Sequence, residues 1–130
     1  MRARVRMRGR CGAAYLLNGG CSDDGFEYFR GWLISRGRAV FEKALADPDS
    51  LAKFVGAAPE LELEAIAYAA INAYKTKTGK DWEDLPRSAL DQATKGIPTF
   101  EWPDEPTGEP WDEDDLDERF PAIADRQAGL

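Results

Sequence analysis

Histidine is absent from all 130 residues. Ser-His-Asp and Cys-His catalysis, histidine general-base chemistry and the histidine-containing zinc sites are therefore excluded within one chain. Cysteine occurs only at Cys11 and Cys21. Two are too few for a disulfide-dense secreted scaffold and, without histidine, too few for a conventional zinc site. A reducing cytosol is the expected compartment. No apolar run approaches the roughly 18 residues that a membrane span needs, and Ala13 to Leu17 is too short for the apolar region of a secretory leader.

What is present points to a packed helical domain. Hydrophobic residues make up 43% of the chain and include fourteen aromatics, enough to argue against global disorder. The length suits one domain. Charge is unevenly placed around a net −7: residues 1 to 20 hold five arginines and no acid, while residues 101 to 130 hold eleven acids against two arginines. The middle, residues 21 to 100, is nearly balanced with ten basic and thirteen acidic groups. A basic N-terminal arm can bind phosphate backbones, but aromatics interleaved with its arginines are missing until Tyr15. The acidic remainder would repel nucleic acid.

The strongest local signal is Asn18-Gly-Gly-Cys-Ser22. Asn18, Gly19 and Gly20 can take the left-handed conformation that ends a helix, and Ser22 can cap the next one with Asp23 and Asp24 in its first turn. Phe26, Phe29, Trp32 and Leu33 then recur at three- and four-residue spacing, so one face is a strip of rings and aliphatics. Gly37 is expected to end or bend this helix. Val40, Phe41, Ala44 and Leu45 continue the period to Asp47-Pro48, where Asp47 can cap a short helix whose Leu51 and Phe54 face inward. From Glu60 to Gly79, Leu63, Ile66, Ala67, Ala70, Ile71 and Tyr74 trace an amphipathic helix that is expected to be central. Asp81 to Leu85 and Ser88 to Thr94 each suggest a turn or two.

Five of the eight prolines fall between Pro98 and Pro121, among many acids. Phe100, Trp102, Trp111 and Phe120 are costly to leave in water, each worth roughly 2 to 3 kcal/mol when buried. Residues 97 to 121 are therefore expected to form an extended strap over the helices. Trp111 ahead of Asp112, with Leu116 inside the following helix, fits a hydrophobic staple, and Asp112 with Asp115 imitates a capping box.

Candidate chemistry is sparse. Cys21 precedes a helix N-terminus, which favours thiolate, but Asp23 and Asp24 oppose it. A half-buried staple against Phe26 is the simpler role. Gly19-Gly20 lacks the lysine and the glycine spacing of a phosphate loop. Paired carboxylates remain, since general acid/base work needs only two positioned acids. The candidates are Asp23, Asp24 and Glu27, and the cluster from Asp112 to Asp115, although helix capping explains both groups. Arg30 and Trp32 on the same helix could hold a ligand carboxylate, with Tyr28 lining a pocket, or Arg30 could tie α-helical segments together through an acid of the Asp112 cluster.

The run from Ala13 through Asn18-Gly-Gly-Cys-Ser-Asp-Asp-Gly-Phe-Glu-Tyr-Phe-Arg30, then Trp32-Leu-Ile and Ala44 to Ala52, resembles the bacterial family known as domain of unknown function 4240. Trp111-Asp-Glu-Asp-Asp-Leu116 with Arg119-Phe-Pro121 is similar to the family's closing motif. The resemblance spans residues 13 to 126 and implies a small, mostly helical bacterial domain, with no activity, cofactor or catalytic residue attached. It also implies a helical segment ahead of Ala13 that residues 1 to 10 do not resemble, so the start is expected to be trimmed or misassigned.

Together these readings predict an all-α, compact bundle of about five to seven short helices with a C-terminal proline-rich acidic strap. Residues 1–12 are expected to be a basic extension, 13–126 one helical domain and 127–130 a tail. The leading functional expectation is a cytoplasmic, non-enzymatic protein-interaction module that binds a protein partner or itself. It requires no metal, cofactor or catalytic residue. The alternative is a small-ligand or carboxylate-based protein using Asp23, Asp24 and Arg30. A third reading is weak nucleic-acid binding by the basic arm. Binding residues are expected among Asp23, Asp24, Tyr28, Arg30, Trp32, Trp111, Asp112 and Asp115.

Overall fold

The computed structural model describes residues 10–96 and 109–130. Its elements are α1 (Arg10–Asn18), α2 (Asp23–Ser35), α3 (Arg38–Ala46), α4 (Ala69–Thr78), α5 (Arg87–Ala93), α6 (Leu116–Arg119) and α7 (Pro121–Ala128). Short 3-10 segments occupy Pro48–Phe54, Glu64–Tyr68, Trp82–Asp84 and Glu113–Asp115. No strand occurs among the described residues, and the fold is all-α. The basic stretch ahead of Arg10, and the part of the strap that carries Phe100 and Trp102, lie outside the described residues.

The joints follow from local chemistry. Gly19 takes φ +70° and the Gly20 N–H donates to the Tyr15 carbonyl at 2.8 Å, a Schellman stop for α1. The Ser22 hydroxyl accepts from the Gly25 N–H at 3.0 Å and starts α2. Gly37, at φ +95°, separates α2 from α3. The Asp47 carboxylate accepts from the Asp49 N–H at 3.2 Å, and Pro48 opens the segment it caps.

Rings and aliphatics from both ends of the chain share one interior. Ala13 and Ala14 of α1, Phe29, Trp32 and Leu33 of α2, Ala44, Leu51 and Leu61, and Leu116, Phe120 and Ile123 are all buried in one cluster. The Trp32 ring meets Phe54 edge-on at 5.0 Å and stacks near Phe29 at 5.7 Å. α1 begins at Arg10, so Cys11 and Gly12, which fell in the basic extension on sequence grounds, are buried helical residues. Gly12 permits a close approach: a Cβ there would lie 3.0 Å from Leu116 Cδ2 and 3.1 Å from Phe120 Cε2. On this face the C-terminal helices rest against α1.

Distant side chains finish the helix ends. The Asp49 carboxylate accepts from the N–H groups of Ala122 and Ile123, each at 2.9 Å, and so caps α7 from more than seventy residues away. Gln127 Nε2 donates to the Leu16 carbonyl near the end of α1 at 2.6 Å. Asn18 does more than stop α1. Its Oδ1 accepts from the Leu61 N–H at 2.8 Å and its Nδ2 donates to the Leu61 carbonyl at 3.4 Å.

The region from Glu60 to Gly79 corrects the expectation of a central helix. It is non-helical from Leu61 to Leu63, 3-10 from Glu64 to Tyr68 and α-helical only from Ala69, and α4 buries no residue. The reason lies in where contact with α2 occurs. The Leu63 N–H donates to the Tyr28 carbonyl at 2.9 Å, and Gly31 lets Leu63 and Ile66 press directly onto the α2 backbone. Beyond that crossing the 3-10 winding changes the angular phase, because it advances three residues per turn where an α-helix advances 3.6. Tyr68 and Ile71 consequently stay 50% and 38% exposed.

Candidate functional site

The start of α2 is a capped helix end. Asp23 and Asp24 are exposed in the first turn, where carboxylates favourably meet the positive end of the helix. Tyr28 is half-buried one turn further on. The charge of Glu64 pushes its phenol up from the ordinary 10.0, with partial burial and Asp24 acting in the same direction. Arg30 Nη1 donates to Glu27 Oε1 at 2.8 Å, an i,i+3 pair with both side chains substantially exposed. Such a pair contributes only a few tenths of a kcal/mol. Trp32 serves the interior: 8% exposed, it packs on Phe29 and Phe54 beneath the Arg36 guanidinium, 5.7 Å from the ring centroid.

Trp111, Asp112 and Asp115 form a second group. The Trp111 ring meets Tyr15 edge-on at 5.4 Å, and its buried Nε1 has no hydrogen-bond acceptor among the described residues. Asp112 and Asp115 close a capping box, with the Asp115 carboxylate accepting from the Asp112 N–H at 3.4 Å. Arg119 Nη2 donates to the Pro110 carbonyl at 2.7 Å and holds the stretch ahead of Trp111. Hydrogen bonding to the Glu113 carboxylate, then burial and the charge of Glu113, pushes the Tyr15 phenol above 10.0.

Of the eight expected residues, Asp23, Asp24, Asp112 and Asp115 thus stand at helix starts, while Trp32 and Trp111 pack on Phe54 and Tyr15. Among the described residues no charged or polar side chain is buried, and no three acids and cysteines cluster as metal ligands.

Sequence reasoning missed a different set. From Ala69 to Gly96 no side chain is buried, and Trp82 and Leu90 are 59% and 48% exposed alongside Tyr68 and Ile71. Lys75 Nζ pairs with Asp81 Oδ1 at 3.0 Å across the Gly79 turn. A usable signal was Trp82 standing among Asp81, Glu83 and Asp84, since a ring flanked by charges has no apolar neighbours to carry it inward.

Fold and site together define a small all-α domain built on a capped, ring-faced helix. The sequence profile of the family described as "Protein of unknown function (DUF4240)" matches residues 2–76. That is more than half of the chain, and the chain belongs to this family. The match takes in the arginine-rich start, α1, α2 and α3, and it ends ahead of the motif at Trp111 to Pro121. No curated protein and no solved structure matches the chain.

Proposed function

We propose that this protein is a non-enzymatic interaction module of the bacterial cytosol, and that its contact surface is the arm from Tyr68 to Leu90, docking on a second copy of the chain. The observation that carries the reading is the exposure of Tyr68, and of Ile71, Trp82 and Leu90 on the twenty-eight residues that follow it, 69 to 96, none of which is buried. Large apolar side chains left exposed along one stretch of a small domain support a contact surface there.

Charge favours a like partner at this place. Residues 69 to 96 carry five basic and four acidic groups in a chain of net charge −7. Two arms can therefore meet without the repulsion that two acidic C-terminal surfaces would suffer. A two-fold arrangement would pair each arm with its copy and shelter both sets of rings.

Sedimentation of the full chain over a concentration series tests this. The expected result is a mass rising above the 14.4 kDa monomer, and a return to monomer in an Ile71→Glu, Trp82→Glu variant with an unchanged helical circular dichroism spectrum. A monomer at every concentration overturns the reading.

A further inference from the structure

Cys11 and Cys21 meet at the corner between α1 and α2. Their sulfurs are 3.6 Å apart, within hydrogen-bonding distance for thiols, and they are not joined. Cys11 lies in the first turn of α1 and is 6% exposed, so its side chain is fixed by the helix and the core. Cys21 is half-buried in the non-helical link just before Ser22, after two glycines at positive φ. A disulfide needs a sulfur separation of about 2.05 Å. With Cys11 fixed in its helix, the remaining approach falls to Cys21, which lies outside any helix.

We propose that Cys11 and Cys21 are a reversible thiol–disulfide site that responds to peroxide, with Cys21 as the reacting thiol and Cys11 as the resolving one. The Cys21 thiolate attacks one oxygen of hydrogen peroxide, the O–O bond breaks, and the departing hydroxide is protonated to water. Cys21 is then a sulfenic acid. The Cys11 sulfur attacks the Cys21 sulfur, the S–O bond breaks, and hydroxide leaves as water with the proton that Cys11 releases. Two thiols and one peroxide yield one disulfide and two waters, the thiols losing two electrons and the peroxide gaining them. A small-molecule thiol reverses the change by exchange.

The electrostatics agree with this division of roles. A hydrogen bond from the Cys11 thiol lowers the pKa of Cys21, against burial and the charges of Glu62 and Asp23. The same hydrogen bond, then burial and the charges of Cys21 and Asp23, raise that of Cys11. Thiolate character thus concentrates on the more accessible sulfur, where oxidation begins.

The test treats the full chain with hydrogen peroxide, blocks residual thiols with an alkylating agent, and measures intact mass and the peptide map. The expected product is a monomer two hydrogen atoms lighter that takes up no alkyl group, contains a linked Cys11–Cys21 peptide and reverts with dithiothreitol. A Cys11→Ser variant should accumulate Cys21 sulfenic acid, captured by dimedone, and a Cys21→Ser variant should give no capture at Cys11. Should a variant fail to fold, the wild-type peptide map decides. Full alkylation of both cysteines after peroxide, sulfinic acid at Cys21 in the wild-type chain, or disulfides only between chains would overturn the proposal.

Discussion

Among the described glycines, Gly31 is the most closely approached. A Cβ at this position would lie 2.6 Å from both the Leu63 carbonyl oxygen and Ile66 Cγ2. The backbone at Leu63 cannot yield easily, because its N–H is bonded to the Tyr28 carbonyl at 2.9 Å. Alanine in a helix interior gains up to about 1 kcal/mol over glycine, whereas forcing atoms into a packed contact costs about 1–3 kcal/mol. Gly31→Ala is therefore expected to destabilise. Gly25→Ala in the same helix meets only Ser22 Oγ at 3.1 Å and the end of the Glu62 side chain at 3.3 Å, so it should be close to neutral. Urea unfolding of the two variants checks the contrast, and equal midpoints would contradict it. Single residues were unevenly legible in the sequence. The capping role of Ser22 could be read because it is exercised within three residues, whereas the bonds of Asn18 to Leu61 bridge forty-three positions that no local pattern connects.

At the scale of elements, α7 depends on a residue outside itself. Its first turn contains no acid, and the Asp49 carboxylate supplies the acceptors for the Ala122 and Ile123 N–H groups. Loss of a helix cap costs about 0.5–2 kcal/mol. Asp49→Ala should fall toward the upper end, since two donors are orphaned together beside the fully buried Ile123. Chemical denaturation measures the loss. Hydrogen exchange should place the faster opening in α7, and an effect confined to the segment around Asp49 would refute the cap. Element types were readable where start and stop signals stood close together, as around α2. The stretch from Glu60 to Gly79 was not readable in this way. Its apolar spacing fits a continuous helix, yet the Gly31 crossing draws Leu63 and Ile66 against α2 and leaves Ile71 outside.

Across the whole molecule, Tyr15 joins the beginning of the described chain to its end. Its ring meets Trp111, and its phenol is pushed above 10.0 by hydrogen bonding to Glu113, so folding favours the protonated phenol. The sign follows: this contribution is fully present below pH 10.0 and is lost as pH rises through the higher folded value. Tyr28 and Cys11, raised as well, act in the same direction, whereas Cys21 is lowered. Stability is therefore expected to decline in strong alkali, and Tyr15→Phe, which keeps the ring, should decline less steeply. Urea midpoints collected across that range test the expectation, and parallel curves for the two proteins would refute it.

Helix joints, the ring-bearing face of α2 and the burial of Phe120 were decided within the linear chain, because turn conformations, caps and the cost of wet apolar surface act locally or on composition alone. Only the tertiary structure decided that Asp49 caps α7, that Asn18 holds Leu61, that Cys11 meets Cys21 and that the arm beyond Tyr68 stands exposed. A periodic pattern states which face of a helix is apolar, but what comes to cover that face depends on where distant segments cross, and crossing points are set by close contacts such as the one at Gly31.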